Sequence, residues 1–424
     1  MATIKDYGNG KFRIVASNGR RHDGTPNRAS WTIEAKSMKE AEKKAVELEY
    51  EFKHGKKKSI QKKYSFNDLI YEWRKSDRYQ QMSPKTTERY EGMIKHKLIT
   101  AFGVWPLEDI RPLDIMHFIA SLRKPGARLD TNNQNPYSDK TIQGYYILLH
   151  SLFDDAVQWE MMSENVCDKV DKPSIKKHKA KFYDTEQIDT LLECLDKEGD
   201  ELEISLKKRN PNHRGKSEQE KRELMEERRY LYHMHKAYVY LAIASAGRRS
   251  EVCGLDWTDI NIATTYMIME KTLQYTKSAG KFSRPYLKNG DTCKSMFLPE
   301  TVIEILKEYK AEQKRYKEIL GNKWIATGKV FTAVNGDLIN PNNISLWFKR
   351  FLKKYELPYI TLHEVRHTSI SFMLMQNVPI EVVAERAGHR DTSVTSGIYG
   401  HVFDENKKKA AQTVEKMFTV KGAV

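Results

Sequence analysis

Four short stretches of this chain carry residue types that can act on a phosphate. In HEVRHTSISFMLMQ, residues 363–376, His363, Arg366 and His367 recur at i, i+3 and i+4, so they share one face of a helix. Thr361 and Glu364 form a capping-box pattern just ahead. His363 then falls in the first turn, where unpaired N–H groups and the helix dipole favour an anion. Val365, Ile370, Phe372, Leu374 and Met375 make the helix apolar almost all round, which predicts a buried setting for the three basic groups. Buried cations need an anionic ligand or internal carboxylates. In YVYLAIASAGRRSEVCGLDWTDI, residues 238–260, an apolar helix stops at Gly247 and restarts at Ser250-Glu251, with Arg248 and Arg249 at the break. A guanidinium held at such a junction can be aimed at a phosphate in bidentate geometry. Each stretch has an ordinary alternative, an internal ion pair in the first and a solvated turn in the second.

The other two stretches add a lysine and a tyrosine. In YLKNGDTCKSMFL, residues 286–298, Asn289-Gly290 is a strong hairpin signal, because a type I′ turn needs positive φ at both central residues. Lys288 is therefore predicted at a hairpin tip, a place that suits a solubilising charge or a side chain reaching for a reaction centre. In PIEVVAERAGHRDTSVTSGIYGHVF, residues 379–403, Pro379 can start a short helix and Gly388 can end it. His389 lies just beyond, and Tyr399 follows ten residues later on a Gly-flanked segment. With 22 tyrosines in the chain, Tyr399 alone signals nothing.

Taken together, the order and spacing resemble the tyrosine recombinase (phage integrase) family. Its pattern is an Arg in a Gly-Leu-Arg-Arg-Ser-Glu-like stretch, a hairpin Lys, His-x-x-Arg, Gly-His, and a Tyr nine or ten residues on. Arg248, Lys288, His363, Arg366, His389 and Tyr399 match it. The usual Thr-Gly before the first Arg is replaced by Ser245-Ala246, with Gly247 at a normally apolar place. The hairpin motif Lys-Thr-x-x-Ser-x-Arg reads Lys288-Asn-Gly-Asp-Thr292-Cys-Lys294, which leaves Lys277 and Lys281 as alternative lysines. The resemblance spans about residues 180–403, and the segments upstream are similar to that family's core-binding and arm-binding domains.

The resemblance implies that Tyr399 attacks the scissile phosphate and forms a 3′-phosphotyrosine, so that rejoining needs no ATP. It implies that Arg248 and Arg366, with His363 and His389, hold the non-bridging oxygens, and that Lys288 protonates the leaving 5′-oxygen. No cofactor is implied, and no Asp/Glu cluster suggests a divalent metal. The partners implied are double-stranded DNA at core and arm sites, a homotetramer assembled on DNA, and an excisionase or host DNA-bending protein. The competing readings are a chromosome-dimer resolvase of the same chemistry, a type IB topoisomerase, and a DNA-binding regulator without catalysis. The first two are set apart by the basic N-terminal module, and the third by six catalytic-type residues in family order.

The elements that must position these residues are legible in outline. The sequence predicts a multidomain α+β protein, with a small N-terminal sheet-plus-helix module and linker (1–63), an all-α core-binding domain (64–172), and a mainly α catalytic domain with a small antiparallel sheet and a C-terminal tail helix (180–424). KFRIVAS and RASWTIEA read as strands around a Gly-rich turn region. Ser37 caps a helix marked by Ala41, Ala45, Leu48 and Phe52. Downstream, Phe66, Leu69, Ile70 and Trp73 mark one amphipathic helix; Tyr90, Ile94 and Leu98 a second; Ile115, Phe118, Ile119 and Leu122 a third; and Ile142 to Val157 a fourth. Residues 198–229 are too charged for core and read as an exposed insertion. Phe403, Ala410, Ala411, Val414, Met417 and Phe418 form an apolar stripe suited to docking on a neighbouring protomer.

Bulk composition agrees with a polyanionic partner. The net charge is +15, and residues 1–63 hold 16 Lys/Arg against 8 Asp/Glu, so about half the excess lies in the first seventh of the chain. The four cysteines are scattered without metal-ligand spacing and read as reduced. No apolar run reaches the roughly 18 residues of a membrane span. Without an apolar h-region at the N-terminus, the expected location is cytoplasmic.

Overall fold

The computed structural model describes the chain except at residues 1, 21–25, 55–62, 129–134, 176–180, 208–216, 286–292, 390, 400–410, 413 and 416–424. It divides into two compact units, one of residues 1–81 and 90–175, the other of residues 82–89 and 176–424.

At the N-terminus, strands β1 (Thr3–Asp6), β2 (Lys11–Arg20) and β3 (Pro26–Glu34) form an antiparallel sheet in chain order. Helix α1 (Met38–His54) follows, and its Ala41 joins Phe12 and Ala35 in a small core with Ile4 and Ile33. Ser37 Oγ accepts the Glu40 N–H at 3.3 Å, as a capping residue should. Strand β1 is an addition to the sequence reading. Only Ile4 is apolar within it, too little for alternation to register, yet it pairs Thr3 with Val15 through Asp6 with Phe12.

Helices α2 (Phe66–Lys75), α3 (Asp77–Gln80), α4 (Pro84–Met93), α5 (Ile99–Phe102), α6 (Pro112–Leu122) and α7 (Asp139–Gln158) come next. The apolar positions read from α2 and α6 are their buried residues. In α2 the Ser65 side chain and the Asp68 carboxylate cap each other's backbone N–H, at 3.2 and 2.8 Å. The stripe Tyr90, Ile94, Leu98 is not one regular helix: a π turn at Ile94–Leu98 joins α4 to α5, and Ile94 and Leu98 are buried there.

The second unit holds α8 (Thr185–Lys207), α9 (Glu218–Ser245), α10 (Arg249–Val252), strands β4 (Ile260–Asn261), β5 (Tyr266–Met269), β6 (Lys271–Thr276), β7 (Gly280–Pro285) and β8 (Lys294–Phe297), then α11 (Glu300–Leu320), α12 (Pro341–Lys354), α13 (Leu362–Met375), α14 (Ile380–Ala387) and α15 (Thr392–Tyr399). Its core gathers α9 and α11 around Tyr230, Tyr238, Tyr309 and Phe331. In the charged stretch 198–229 the described residues are the end of α8 and the start of α9, mostly exposed. Charge hid the helical periodicity, because these turns extend beyond the core with little to bury.

β7 pairs with β6, with Lys271 opposite Pro285, while β8 pairs with β5, with Met269 opposite Lys294. The predicted turn at Asn289-Gly290 lies outside the described residues. The hairpin turn of β6–β7 lies at Lys277–Ala279. Lys288 lies outside the described residues.

Candidate active site

The site is built where α9 ends. Ala246, at φ 48°, takes the left-handed cap conformation one residue before the predicted stop, and Gly247 follows with no room for a side chain, since a Cβ there would lie 2.8 Å from Val252 Cγ2. Ala246 sits in a region most non-glycine residues avoid, and its carbonyl is thereby turned toward α13. Arg366, only 1% exposed, donates from Nη1 to that carbonyl at 2.8 Å. Its Nη2 reaches His389 Nε2 at 2.8 Å, and His389 Nδ1 meets Thr395 Oγ1 at 2.8 Å. Three elements, α9, α13 and α15, are tied through one guanidinium and one imidazole.

Arg248 begins α10 and is half-exposed, with Nη1 2.7 Å from Glu251 Oε1. Glu251 is 1% exposed and also holds the ammonium of Lys294, itself 2% exposed on β8. Gly388 ends α14 at φ 65°, and a Cβ there would overlap Lys294 Cε, so the glycine serves both the turn and the lysine stem. Arg249 donates to Ser345 Oγ on α12 at 2.7 Å. A cavity of about 390 Å³ opens beside these groups and is lined by Arg248, Arg249, Lys349, Tyr359 and His363.

Electrostatics make this a place for an anion. Burial pulls the Lys294 ammonium down to about 8 despite Glu251, with Arg366 and Arg248 adding to the depression. His389 falls to about 4 through burial first, then through the charges of Arg366, Arg248 and Lys294. His367 also falls to about 4, by burial and by His363 and Arg366. A half-buried pocket that discourages further protonation is one whose positive potential an anionic ligand relieves.

These shifts carry a stability consequence. The unfolded chain binds protons at His367 and His389 near pH 6.5, the folded one only near pH 4, so stability contributed by these rings is complete above pH 6.5 and is lost as pH falls toward 4. His235, stacked on Trp347 at 3.8 Å and pulled to about 3 by burial, acts in the same direction. Urea midpoints of the DNA-free protein should fall steadily from pH 7 to pH 4.5. A flat profile over that range would contradict neutral, buried imidazoles.

Of the six residues singled out in the sequence, the structure brings Arg366 and His389 into direct contact and places Arg248 beside them through Glu251 and the α9–α10 break. His363 lies in the first turn of α13, as its capping box requires: Thr361 Oγ1 accepts the Glu364 N–H at 3.3 Å and Glu364 Oε2 accepts the Thr361 N–H at 2.6 Å. Burial of the basic face is corrected, however. Arg366 is buried, His367 half-buried, and His363 exposed, because the first turn of α13 borders the cavity instead of the core. Tyr399, on its Gly-flanked segment, is the last residue of helix α15, and its side chain is outside the described residues. Lys281 is paired with Asp337. Three further members of the site, Glu251, Lys294 and Thr395, had no assigned role; all three stand inside the quoted stretches, but only the fold shows that Lys294 meets Glu251 and Thr395 meets His389.

Residues 217–406 match the family model described as Phage integrase family, and residues 65–123 match that described as Phage integrase, N-terminal SAM-like domain. A tyrosine recombinase XerC-like protein of Caldanaerobacter subterraneus subsp. tengcongensis is 25% identical, with 97% of each chain covered. The ICEBs1 integrase of Bacillus subtilis is 20% identical over 66% of each chain. Among solved structures, the Tn1549 transposon integrase in complex with transposon right end DNA superposes with a TM-score of 0.62 at 16% identity, covering 82% of this chain and 99% of that one. A lambda integrase tetramer bound to a Holliday junction gives 0.51 at 14% identity, covering 93% and 94%. At these identities the structural likeness is one of fold. Among the described residues, no helix is long and apolar enough to cross a membrane.

Proposed function

This chain belongs to the phage integrase family of tyrosine recombinases, and from that premise we propose that it is the integrase of a mobile element, cutting and rejoining double-stranded DNA through a 3′-phosphotyrosine at Tyr399. The observation that carries the proposal is the buried Arg366 guanidinium, fixed between Ala246 O and His389, with Arg248 and Lys294 close enough to act on the same imidazole.

In the reaction, the Tyr399 oxygen attacks phosphorus, the bond to the 5′-oxygen breaks, and the free energy of that bond is kept in the phosphotyrosine. Negative charge grows on the non-bridging oxygens as this happens. Arg248 and Arg366 meet it with preorganised N–H donors, held by Glu251 and by Ala246 O, so little reorganisation accompanies the step. His389 stands beside Arg366, and His363, which borders the cavity, is assigned the proton exchange with Tyr399. Lys288 supplies the proton to the departing 5′-oxygen. Rejoining is the same sequence reversed, with a 5′-hydroxyl as nucleophile.

The sheet-plus-helix module of residues 1–63 is assigned to arm sites, residues 64–172 to the core site, and residues 180–424 to catalysis, with four protomers on paired sites and an excisionase or DNA-bending protein setting direction. Removing residues 1–63 tests this directly. Cleavage of a suicide core-site substrate should persist, since all six proposed catalytic residues lie beyond them, while integration between two full attachment sites collapses. The salt dependence of binding should also weaken, by about 0.9 in the slope of log K against log salt for each phosphate that the truncated protein no longer neutralises. A truncated protein that recombines full sites at the normal rate would make the module a stabilising appendage and favour a chromosome-dimer resolvase.

A further inference from the structure

Helix α15 has eight residues, too few to hold its own conformation in water, so tertiary contacts must set its direction. Among its described side chains, Thr395 is the buried one, with no exposed surface; Thr392 is half-buried and Ser393 and Ser396 are exposed. Ser396 Oγ donates back to Ser393 O at 3.1 Å, leaving the Thr395 hydroxyl as the one directed at His389, at 2.8 Å. Thr395 precedes Tyr399 by four residues, about one helical turn.

The hydrogens on this chain of bonds are fixed by chemistry. A guanidinium has donors and no acceptor, so Arg366 Nη2 at 2.8 Å from His389 Nε2 requires that nitrogen to be the unprotonated one. The neutral ring then carries its hydrogen on Nδ1, which donates to Thr395 Oγ1.

We propose that Thr395 is a positioning residue: by accepting from His389 Nδ1–H it fixes the orientation of a ring whose tautomer Arg366 sets, and the same bond fixes the helical turn that precedes Tyr399. The proposal rests on Arg366 and Tyr399 having the roles given above. It makes one hydroxyl the link between the phosphate-binding guanidinium and the helix of the nucleophile, so that loss of the link costs reaction rate without costing DNA affinity.

Thr395→Val removes the hydroxyl at nearly constant shape, and Thr395→Ser keeps it. In the full-length protein with ¹⁵N-labelled histidine rings, His389, assigned by loss of its signals in His389→Gln, should show the Nδ1–H tautomer. The valine variant should keep the tautomer that Arg366 sets but lose the hydrogen bond at Nδ1, read as an upfield shift and faster solvent exchange of the Nδ1–H proton, and cleave a suicide core-site substrate about 10-fold more slowly or worse, with core-site affinity unchanged. The serine variant should restore both. Should the valine variant fail to fold, Thr395→Ala takes its place beside serine. A hydroxyl-free variant that keeps both the hydrogen-bonded Nδ1–H signal and the rate overturns the proposal, and so does a serine variant that restores neither. The Nδ1–H signal is read without any reaction, so an error in the assignment of Tyr399, which a covalent adduct from Tyr399→Phe would expose, stays distinguishable from an error about Thr395.

Discussion

A Tyr399→Phe protein is expected to bind its core-site DNA as the parent does and to form no covalent protein–DNA adduct. The substitution removes one oxygen and leaves the ring, the helix α15 that ends at this residue, and the Thr395–His389–Arg366 bonds in place. Binding rests on phosphate contacts spread over the protein and should change little. Cleavage needs the attacking oxygen itself, so the loss should be on the order of 10⁴-fold or more, the scale seen when an enzyme loses its nucleophile. A suicide substrate run on a denaturing gel, beside a mobility-shift titration of the same variant, separates the two quantities. An adduct of normal yield from the phenylalanine protein would remove Tyr399 from the mechanism, and Lys288, whose part depends on the same attack, would need reassignment with it.

Arg366→Lys should rank next in effect. Lysine keeps the positive charge but replaces a planar fork by a single ammonium, which cannot bond Ala246 O and His389 Nε2 in the two directions the guanidinium does. One buried acceptor is left short of a donor, at about 1–3 kcal/mol of stability. The larger effect is on the transition state, where a preorganised donor to the developing phosphorane charge is removed; about 10²–10³-fold in cleavage rate is expected. Single-turnover cleavage and urea unfolding of the variant measure the two effects. Cleavage within a few-fold of the parent would mean that Arg366 is a structural cation, tying α9 to α13 and His389, and that Arg248 alone meets the phosphate.

Arg366 and Thr395 lie at opposite ends of one chain of bonds through His389, so substitutions at these two sites should couple. Arg366 and Thr395 share His389 as partner, so a double variant at these sites should show less than the sum of the separate losses. Tyr399→Phe removes chemistry altogether and leaves nothing for the others to modulate.

Much of this site follows from sequence alone because the determinants are local. The start of α13 is written in Thr361 and Glu364, which cap each other within three residues, and this alone puts His363 in the first turn with Arg366 one turn later. Likewise Gly388 ends α14 because only a residue at ease with positive φ fits there, and His389 follows by one position. The helices of residues 64–158 are legible for the same reason: apolar side chains at i, i+3 and i+4 must face a common core, and in α2 and α6 they are the buried residues. The family pattern of Arg248, Lys288, His363, Arg366, His389 and Tyr399 is likewise a property of order and spacing.

What tertiary structure decided is everything carried by interactions between distant segments. Nothing in DTCKSMF says that Lys294 turns inward to Glu251 while its strand neighbour Phe297 stays 66% exposed; that depends on β8 pairing with β5 and not with β7. The hairpin turn at Lys277–Ala279 carries no strong turn signal of its own, and it is fixed by the pairing of β6 with β7. Exposure of His363 beside a buried Arg366 depends on where the cavity cuts across α13, which no periodicity records. The bond from His389 to Thr395 joins residues six apart across a helix boundary, and the guanidinium behind it reaches back 120 residues to Ala246. Local capping and periodicity can place each functional residue on its element; only packing determines which of those residues share a proton, a charge or a phosphate.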